Sequence, residues 1–395
     1  FTGLNEKTNY SIKVKVVDTL GKESNIYSLS VTTDAYVLPR VTNVSTSSTD
    51  SSIAINISAS GGTGNVVKYY YSKDNGSNYV ESTSSSYTFS NLTSGATFYV
   101  KVYVKDSNNR DSSVASTSIR TKSDVKLYNY IKSKYTSQGA NGLYYHDSSL
   151  ANGAGDNSYR YAGASDQVNN YVCFGSTQSP CPEDNKYRII GVFGDKVKLI
   201  KSTSIDGKLW NSIRSNTWST SSLNTYLNGD FINTFDETTK GKIADTTWKV
   251  GGNTHDNIVK QPAKTVYQNE INNPVTTNTT DNATTYSAKV GLMYVSDYMY
   301  AVPQDKWTLV GSNYKDRSKD YSAAISVNWM HMGHDGWTIS RDAASSVHAF
   351  AVAKTGFLYS SYTDNPNSVC PVFYLTSSVN YVSGSGTAAD PILVN

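Results

Sequence analysis

The sequence predicts a multidomain chain in which small β-sandwich modules precede a larger α+β domain, and three observations carry that expectation. Residues 1–34 repeat at 92–122 with a fixed offset of 88 residues, so that Leu4 to Tyr10 matches Leu92 to Phe98, Asp18 matches Asp106 and Thr33 matches Thr121. From residue 187 onward come two β-rich runs, two amphipathic helices, a long polar excursion and late strands, which is an α+β order. Composition agrees: 31 Tyr stand against 10 Phe, and only 17% of residues are charged, as in β-rich extracellular surface modules. At 395 residues the chain is long enough for two or three domains.

The repeated text is a turn, an alternating strand (Ile12, Val14, Val16; Val100, Val102, Val104), an Asp-containing hairpin turn and a last strand. That is the second half of a small β-sandwich. It resembles fibronectin type III modules, with Tyr10 and Phe98 near the corner position that a Tyr often fills. Residues 1–35 then read as the C-terminal half of one such module, so the chain is expected to be a piece of a longer one. Residues 36–122 read as a complete module, opening at Leu38-Pro39-Arg40-Val41. Tyr69-Tyr70-Tyr71 could offer a glycan platform, but strand aromatics in a sandwich first serve core and cross-strand packing. The module is expected to be a spacer.

Residues 123–395 form the third domain. Leu127, Tyr128 and Ile131 at helical spacing predict a short helix over 124–135, capped by Asp124. The Gly/Asn/Ser-rich passage 138–170 is expected to be irregular but packed. Tyr187 to Phe193 and Lys196 to Ile200, joined by Gly194-Asp195, predict a hairpin. Ser219 or Thr220 is expected to cap a helix carrying Leu223, Tyr226, Leu227 and Phe231, and a second helix should run from about Asp236 to Ile243. Residues 251–286 are polar and read as an excursion loop, after which Val290 to Val295 and Tyr298 to Ala301 return to the core. Cys173 and Cys181 flank FGSTQSP, and in a secreted context a disulfide is expected. Cys370 is left over, buried in the strand that follows.

The functional expectation rests on the stretch Trp337 to Leu375. Its ends, Trp337-Thr338-Ile339 and Val372-Phe373-Tyr374-Leu375, are apolar and β-prone. Between them a sparse frame of Ala349, Val352, Gly356, Leu358 and Val369 alternates with Asp342, Ser345, Val347, His348, Ala351, Ala353, Phe357, Tyr359, Ser360, Ser361 and Tyr362. Tyr and Ser outward on a rigid frame is the composition of a paratope, Tyr giving amphipathic area and Ser adaptable hydrogen bonds. The plainer reading is a half-buried antiparallel strand pair. The phrases WTISR and PVFYL, with YYHDSSLANGAGDNSYRYAGA, NNYVCFGS and YRIIGVFGDKVKLIK upstream, resemble C-type-lectin-fold variable proteins of diversity-generating retroelements, over about two-thirds of the chain. The resemblance implies a C-type-lectin-like domain whose variable slots derive from Asn codons with randomised adenines, and so never hold Lys, Met, Trp, Glu or Gln. All the off-frame residues obey this. Cys370 departs from the family pattern, which has Arg before PVFYL.

The residues also bear on other chemistries. A net charge of +3 points to neither nucleic acid nor anionic membrane as partner, and no apolar run reaches the ~20 residues of a membrane span. Trp329-Met330-His331-Met332-Gly333-His334-Asp335 holds two His for zinc or copper but no evident third ligand. Trp329, His331 and His334 are therefore expected in a loop bordering the binding face, with no metal. The sugar-reading EPN, QPD and WND signatures are absent. Asp281, Asn282, Asp364 and Asn365 could hold a structural calcium, although their polarity is first that of solvated loops. No GxSxG, HExxH, P-loop or dinucleotide-binding motif occurs. Cys173 and Cys181 do not resemble the reactive pair of the formylglycine-generating oxidases that share the lectin fold. The expectation is a non-enzymatic ligand-binding protein, secreted or displayed on a cell or virion surface. It would meet a protein or glycan ligand on another cell or host surface, with His348, Phe357, Tyr359 and Tyr362 as anchors. The alternatives are a carbohydrate-active enzyme with accessory sandwiches and a structural tail-fibre component.

Overall fold

The structure is a computed structural model that describes residues 1–275 and 283–395, the side chain of Asp206 excepted. Asp281 and Asn282, two of the calcium candidates, lie outside the described residues. The chain divides into two compact units, Phe1–Asp124 and Val125–Asn395.

In the first unit, β1 (Asn9–Val14) pairs antiparallel with β2 (Tyr27–Thr32). The sandwich that follows uses β3 (Arg40–Ser48), β4 (Ile53–Ser60), β5 (Val66–Ser72), β6 (Val80–Ser82), β7 (Ser86–Phe89), β8 (Thr97–Asp106) and β9 (Ala115–Arg120). Its sheets have the orders β3-β4-β7 and β6-β5-β8-β9. Alternation places Ile53, Ile55 and Ile57 of β4 in one core with Tyr71, Val100, Val102 and Val104. Tyr71 is buried and donates to the Ser84 carbonyl at 2.8 Å. Tyr70 stacks on Tyr103 at 4.4 Å between centroids. The tyrosine run thus packs within its own module.

The strand register and turn bonds of the repeat are reproduced. Asn9 pairs with Thr32 as Thr97 pairs with Arg120. Asp18 Oδ1 accepts from the amides of Leu20 and Lys22 at 2.9 Å, as Asp106 Oδ1 does from Asn108 and Arg110. Thr33 and Thr121 each donate back to the strand-opening turn, at Asn5 and Thr93. Tyr10 takes the corner role, its hydroxyl accepting from the Asn5 amide at 2.8 Å. The packing differs: Val14 and Val16 are 48% and 68% exposed where Val102 and Val104 are fully buried. Among the described residues, no second sheet covers the β1–β2 pair as β3-β4-β7 covers β8.

The second unit opens with α1 (Leu127–Lys132), followed by β10 (Leu143–His146), β11 (Ser158–Tyr161), β12 (Tyr171–Cys173), β13 (Lys186–Phe193), β14 (Lys196–Lys201) and β15 (Ile205–Leu209). Then come α2 (Ser222–Tyr226), α3 (Glu237–Gly241), β16 (Thr246–Lys249), α4 (His255–Ile258), α5 (Ala263–Tyr267), β17 (Thr285–Ala288), β18 (Val290–Gly291) and α6 (Val295–Met299). Seven late strands close it: β19 (Gly336–Arg341), β20 (His348–Val352), β21 (Leu358–Tyr362), β22 (Pro366–Val369), β23 (Val372–Leu375), β24 (Tyr381–Ser383) and β25 (Ile392–Val394). One sheet has the order β18-β23-β14-β13-β12-β25-β24, with the β10–β11 pair joined to β13; a second runs β15-β22-β19-β20-β21. Fully buried Trp210, Trp218, Trp248, Trp307 and Trp337 mark the core between strands and helices.

The β13–β14 hairpin forms where expected, turning at Gly194 with φ +65°. Several expectations need correction. The α1 helix starts at Leu127, and the position before it is Lys126 rather than Asp124, with no side-chain cap bond. Ser221, not Ser219 or Thr220, caps α2, accepting from the Asn224 amide at 3.1 Å. The passage 138–170 is partly regular, since β10 and β11 pair within it. The excursion 251–286 is no mere loop: α4 with its C-cap Val259, and α5, bury Ile258, Val259, Ala263 and Val266 completely. These buried residues sit on or at the end of two short helices interrupted ahead of Pro262, so no single periodicity runs through them.

Candidate ligand-binding face

Positioning of the candidate face begins in that excursion. Glu270, fully buried just beyond α5, accepts from the amides of Val295 and Ser296 at 2.9 Å and from the hydroxyls of Ser296 and Ser340. It thereby ties the excursion to α6 and to β19, the strand that leads into the face. Burial pushes its pKa up to about 7 against those donors, with Asp297 adding to the rise. Gly252 approaches β19 so closely that a Cβ would stand 2.0 Å from the Arg341 carbonyl.

The connection from β19 to β20 is held from a distance by Asn216. This residue is 1% exposed, and its Nδ2 donates to the carbonyls of Asp342, Ser345 and His348 at 3.1, 2.8 and 2.8 Å. The Asn216 amide adds a bond to Ser346 at 2.9 Å. A polar loop is thus fixed by a buried side chain more than a hundred residues earlier. β20 then pairs with β21 in unbroken register, from His348↔Tyr362 to Val352↔Leu358.

Two aromatic groups reach solvent from this hairpin. His348 and Tyr362 lie 4.2 Å apart, with Tyr362 42% exposed and the Arg214 guanidinium 4.3 Å above its ring. Arg214 Nε is 2.9 Å from both Asp364 oxygens, and the Ser345 hydroxyl lies 2.7 Å from His348 Nδ1. Burial, reinforced by Arg214, lowers the His348 pKa against the opposing pull of Asp342. The second group joins Phe357 to Tyr359 at 6.1 Å and to Tyr314 at 6.2 Å, with Arg317 4.9 Å from the Phe357 ring. Burial, then Asp335, pushes Tyr359 up to about 12. Tyr359 and Tyr362 are three apart on an unbulged strand, so they point to opposite faces of the hairpin.

The structure divides the expected outward set. Ser345, Val347, His348, Phe357, Tyr359 and Ser360 are half-buried and Tyr362 is exposed. Asp342, Ala351, Ala353 and Ser361 are buried and correct the expectation. Ala351 lies in β20, an interior strand between β19 and β21. The Ala353 amide donates to the Phe357 carbonyl across the hairpin turn. Asp342 turns inward to accept from the Ala344 amide, and Ser361 accepts from Asn365 Nδ2. Of the bordering residues, His331 Nε2 lies 3.0 Å from the Lys354 carbonyl at the hairpin turn, and His334 is half-buried. Trp329 is instead core, 2% exposed and donating to the Tyr161 carbonyl. Asp364, offered for calcium, is engaged by Arg214. Arg214, Asn216, Tyr314 and Arg317 escaped the sequence reading, because only folding brings them to the hairpin.

Cys173 and Cys181 form a disulfide with Cα atoms 5.9 Å apart, and Cys370 is buried. Among the described residues, no group of three or more His, Cys, Asp and Glu converges as a metal site, and no helix is long and apolar enough to cross a membrane.

A family model described as a domain of unknown function (DUF6273) matches residues 194–290, from the β13–β14 turn to β18. No curated protein matches the chain. Among solved structures, the chain is similar to the rat CD45 extracellular region, domains d3–d4, at 16% identity and TM-score 0.21, covering 31% of this chain and 67% of that one. It is also similar to the PKD1 domain of the Vibrio cholerae metalloprotease PrtV, at 21% identity and TM-score 0.19, covering 22% of this chain and all of that one. A human fibronectin type III domain matches at 18% identity and TM-score 0.19, covering 23% of this chain and 82% of that one. The β-sandwich of residues 40–120 is established by its own strand pairing, independently of these likenesses.

Proposed function

We propose that the chain is a ligand-binding protein of a cell or virion surface, and that the β20–β21 hairpin of a C-type-lectin-like domain is its diversified binding face. The observation that carries this reading is the arginine-backed aromatic group His348–Tyr362–Arg214, which reaches solvent from a strand pair whose neighbouring residues are buried. Rigid aromatics and Arg supply interface energy at low entropic cost. The Cys173–Cys181 disulfide supports an oxidising compartment. Binding here needs no catalytic residue and no calcium, and the β-sandwich serves as a spacer. The test is binding of the purified protein to glycan arrays and to intact cells, with Tyr362→Ala and Arg214→Ala beside the wild type. The expected result is that both variants lose the bound target while keeping the wild-type melting temperature within about 1 °C, as surface changes do. A target held equally by all three proteins would place the binding face elsewhere.

A further inference from the structure

Three of the chain's four methionines, Met293, Met330 and Met332, line one cavity of about 20 Å³ together with Cys370 and His334. The Cys370 thiol donates to Met332 Sδ, with the two sulfurs 3.1 Å apart. His334 Nδ1 is buried and has no hydrogen-bond partner. Gly336 shares the cavity wall with His334, and a Cβ placed on it would lie 3.8 Å from that nitrogen. A shielded imidazole nitrogen left unbonded costs ~1–3 kcal/mol, and the cavity it shares is lined by three thioethers and a thiol beside Ser368 and apolar side chains.

We propose that this cavity is a site for a soft monovalent metal ion of the Cu(I) class, bound by the Cys370 thiolate, the Met332 thioether and His334 Nδ1, with Met330 or Met293 completing the set. Thiolate and thioether donors select Cu(I) over hard cations. One thiolate balances one positive charge, and the thiol proton leaves to solvent as the ion binds. The cavity has room for about one water-sized particle, less than the several waters that a hard cation such as Mg2+ retains. Cys370 lies in the two-residue link between β22 and β23, whereas Met332 and His334 lie on the loop whose His331 meets the Lys354 carbonyl. The ion would therefore pin that loop between β23 and the hairpin turn. The site does not depend on the ligand-binding reading.

The test is anaerobic titration of the whole chain with Cu(I) held by bicinchoninate, whose colour reports the copper lost to the protein. One equivalent should transfer, and the melting temperature should rise with it. Met332→Leu and His334→Gln should each weaken binding about 10- to 100-fold, and Cys370→Ser should abolish it. Should Cys370→Ser fail to fold, the other two substitutions, at partly exposed positions, still decide the matter. No transfer from bicinchoninate, or wild-type affinity in both Met332→Leu and His334→Gln, would overturn the site.

Discussion

Tyr359 and Tyr362 stand on one strand with opposite duties, since alternation sends them to different faces. Tyr359 packs against the main core, whereas Tyr362 meets only His348 and Arg214 near solvent. Tyr359→Ala is therefore predicted to cost roughly 1–3 kcal/mol of unfolding free energy, and Tyr362→Ala little; a denaturant titration separates them, and equal losses would contradict the assignment. Asn216 carries more structure than its surface neighbours. Asn216→Ala strands three carbonyls and should cost roughly 1–3 kcal/mol, with faster amide exchange at Val347 and His348. Glu270 gives the residue scale its pH signature. Its carboxyl titrates at about 7 in the folded protein against 4.5 for an ordinary Glu. Between those values the folded state holds a proton that the unfolded state has lost, so this stabilisation is full at low pH and disappears as pH rises through 7. Urea midpoints across that window should fall with pH more steeply in the wild type than in Glu270→Gln. Parallel slopes would refute the assignment.

Among the elements, those that announce themselves do so by local chemistry. The β13–β14 hairpin was legible because two β-branched runs meet at Gly194-Asp195, and the β19 and β23 ends because their apolar runs are buried. The outward set was only half legible. Ala349 and Val352 are three apart on β20 and both buried, which requires a strand covered on both faces, and on such a strand alternation says nothing about exposure. Asn216 and Arg214 could not be read at all, as their partners lie more than a hundred residues away. The same long reach makes Gly252 critical: its φ is +64° and any Cβ would collide with the Arg341 carbonyl at 2.0 Å. Gly252→Ala is predicted to cost roughly 3 kcal/mol or more and to disturb the hairpin that follows β19. A thermal shift equivalent to less than ~1 kcal/mol would show that the excursion and β19 are uncoupled.

At the scale of the whole molecule, the 88-residue offset was readable because a repeat preserves register, and the two hairpins agree pair by pair. Patterning also announced a second, mixed domain, but not that its excursion would supply helices and the buried Glu270. The central claim is that evolution varies one face of this domain while the clamp beneath it stays fixed. Sequencing the gene and its genomic neighbourhood across sibling cells tests that claim most directly. The account predicts a nearby reverse transcriptase and template repeat. Differences should concentrate at Ser345, Val347, His348, Phe357, Ser360 and Tyr362, with Tyr359 kept for its packing against the core, small residues kept at buried Ala351, Ala353 and Ser361 and none changed at Asn216. Absence of a template repeat, with differences scattered evenly along the chain, would contradict it.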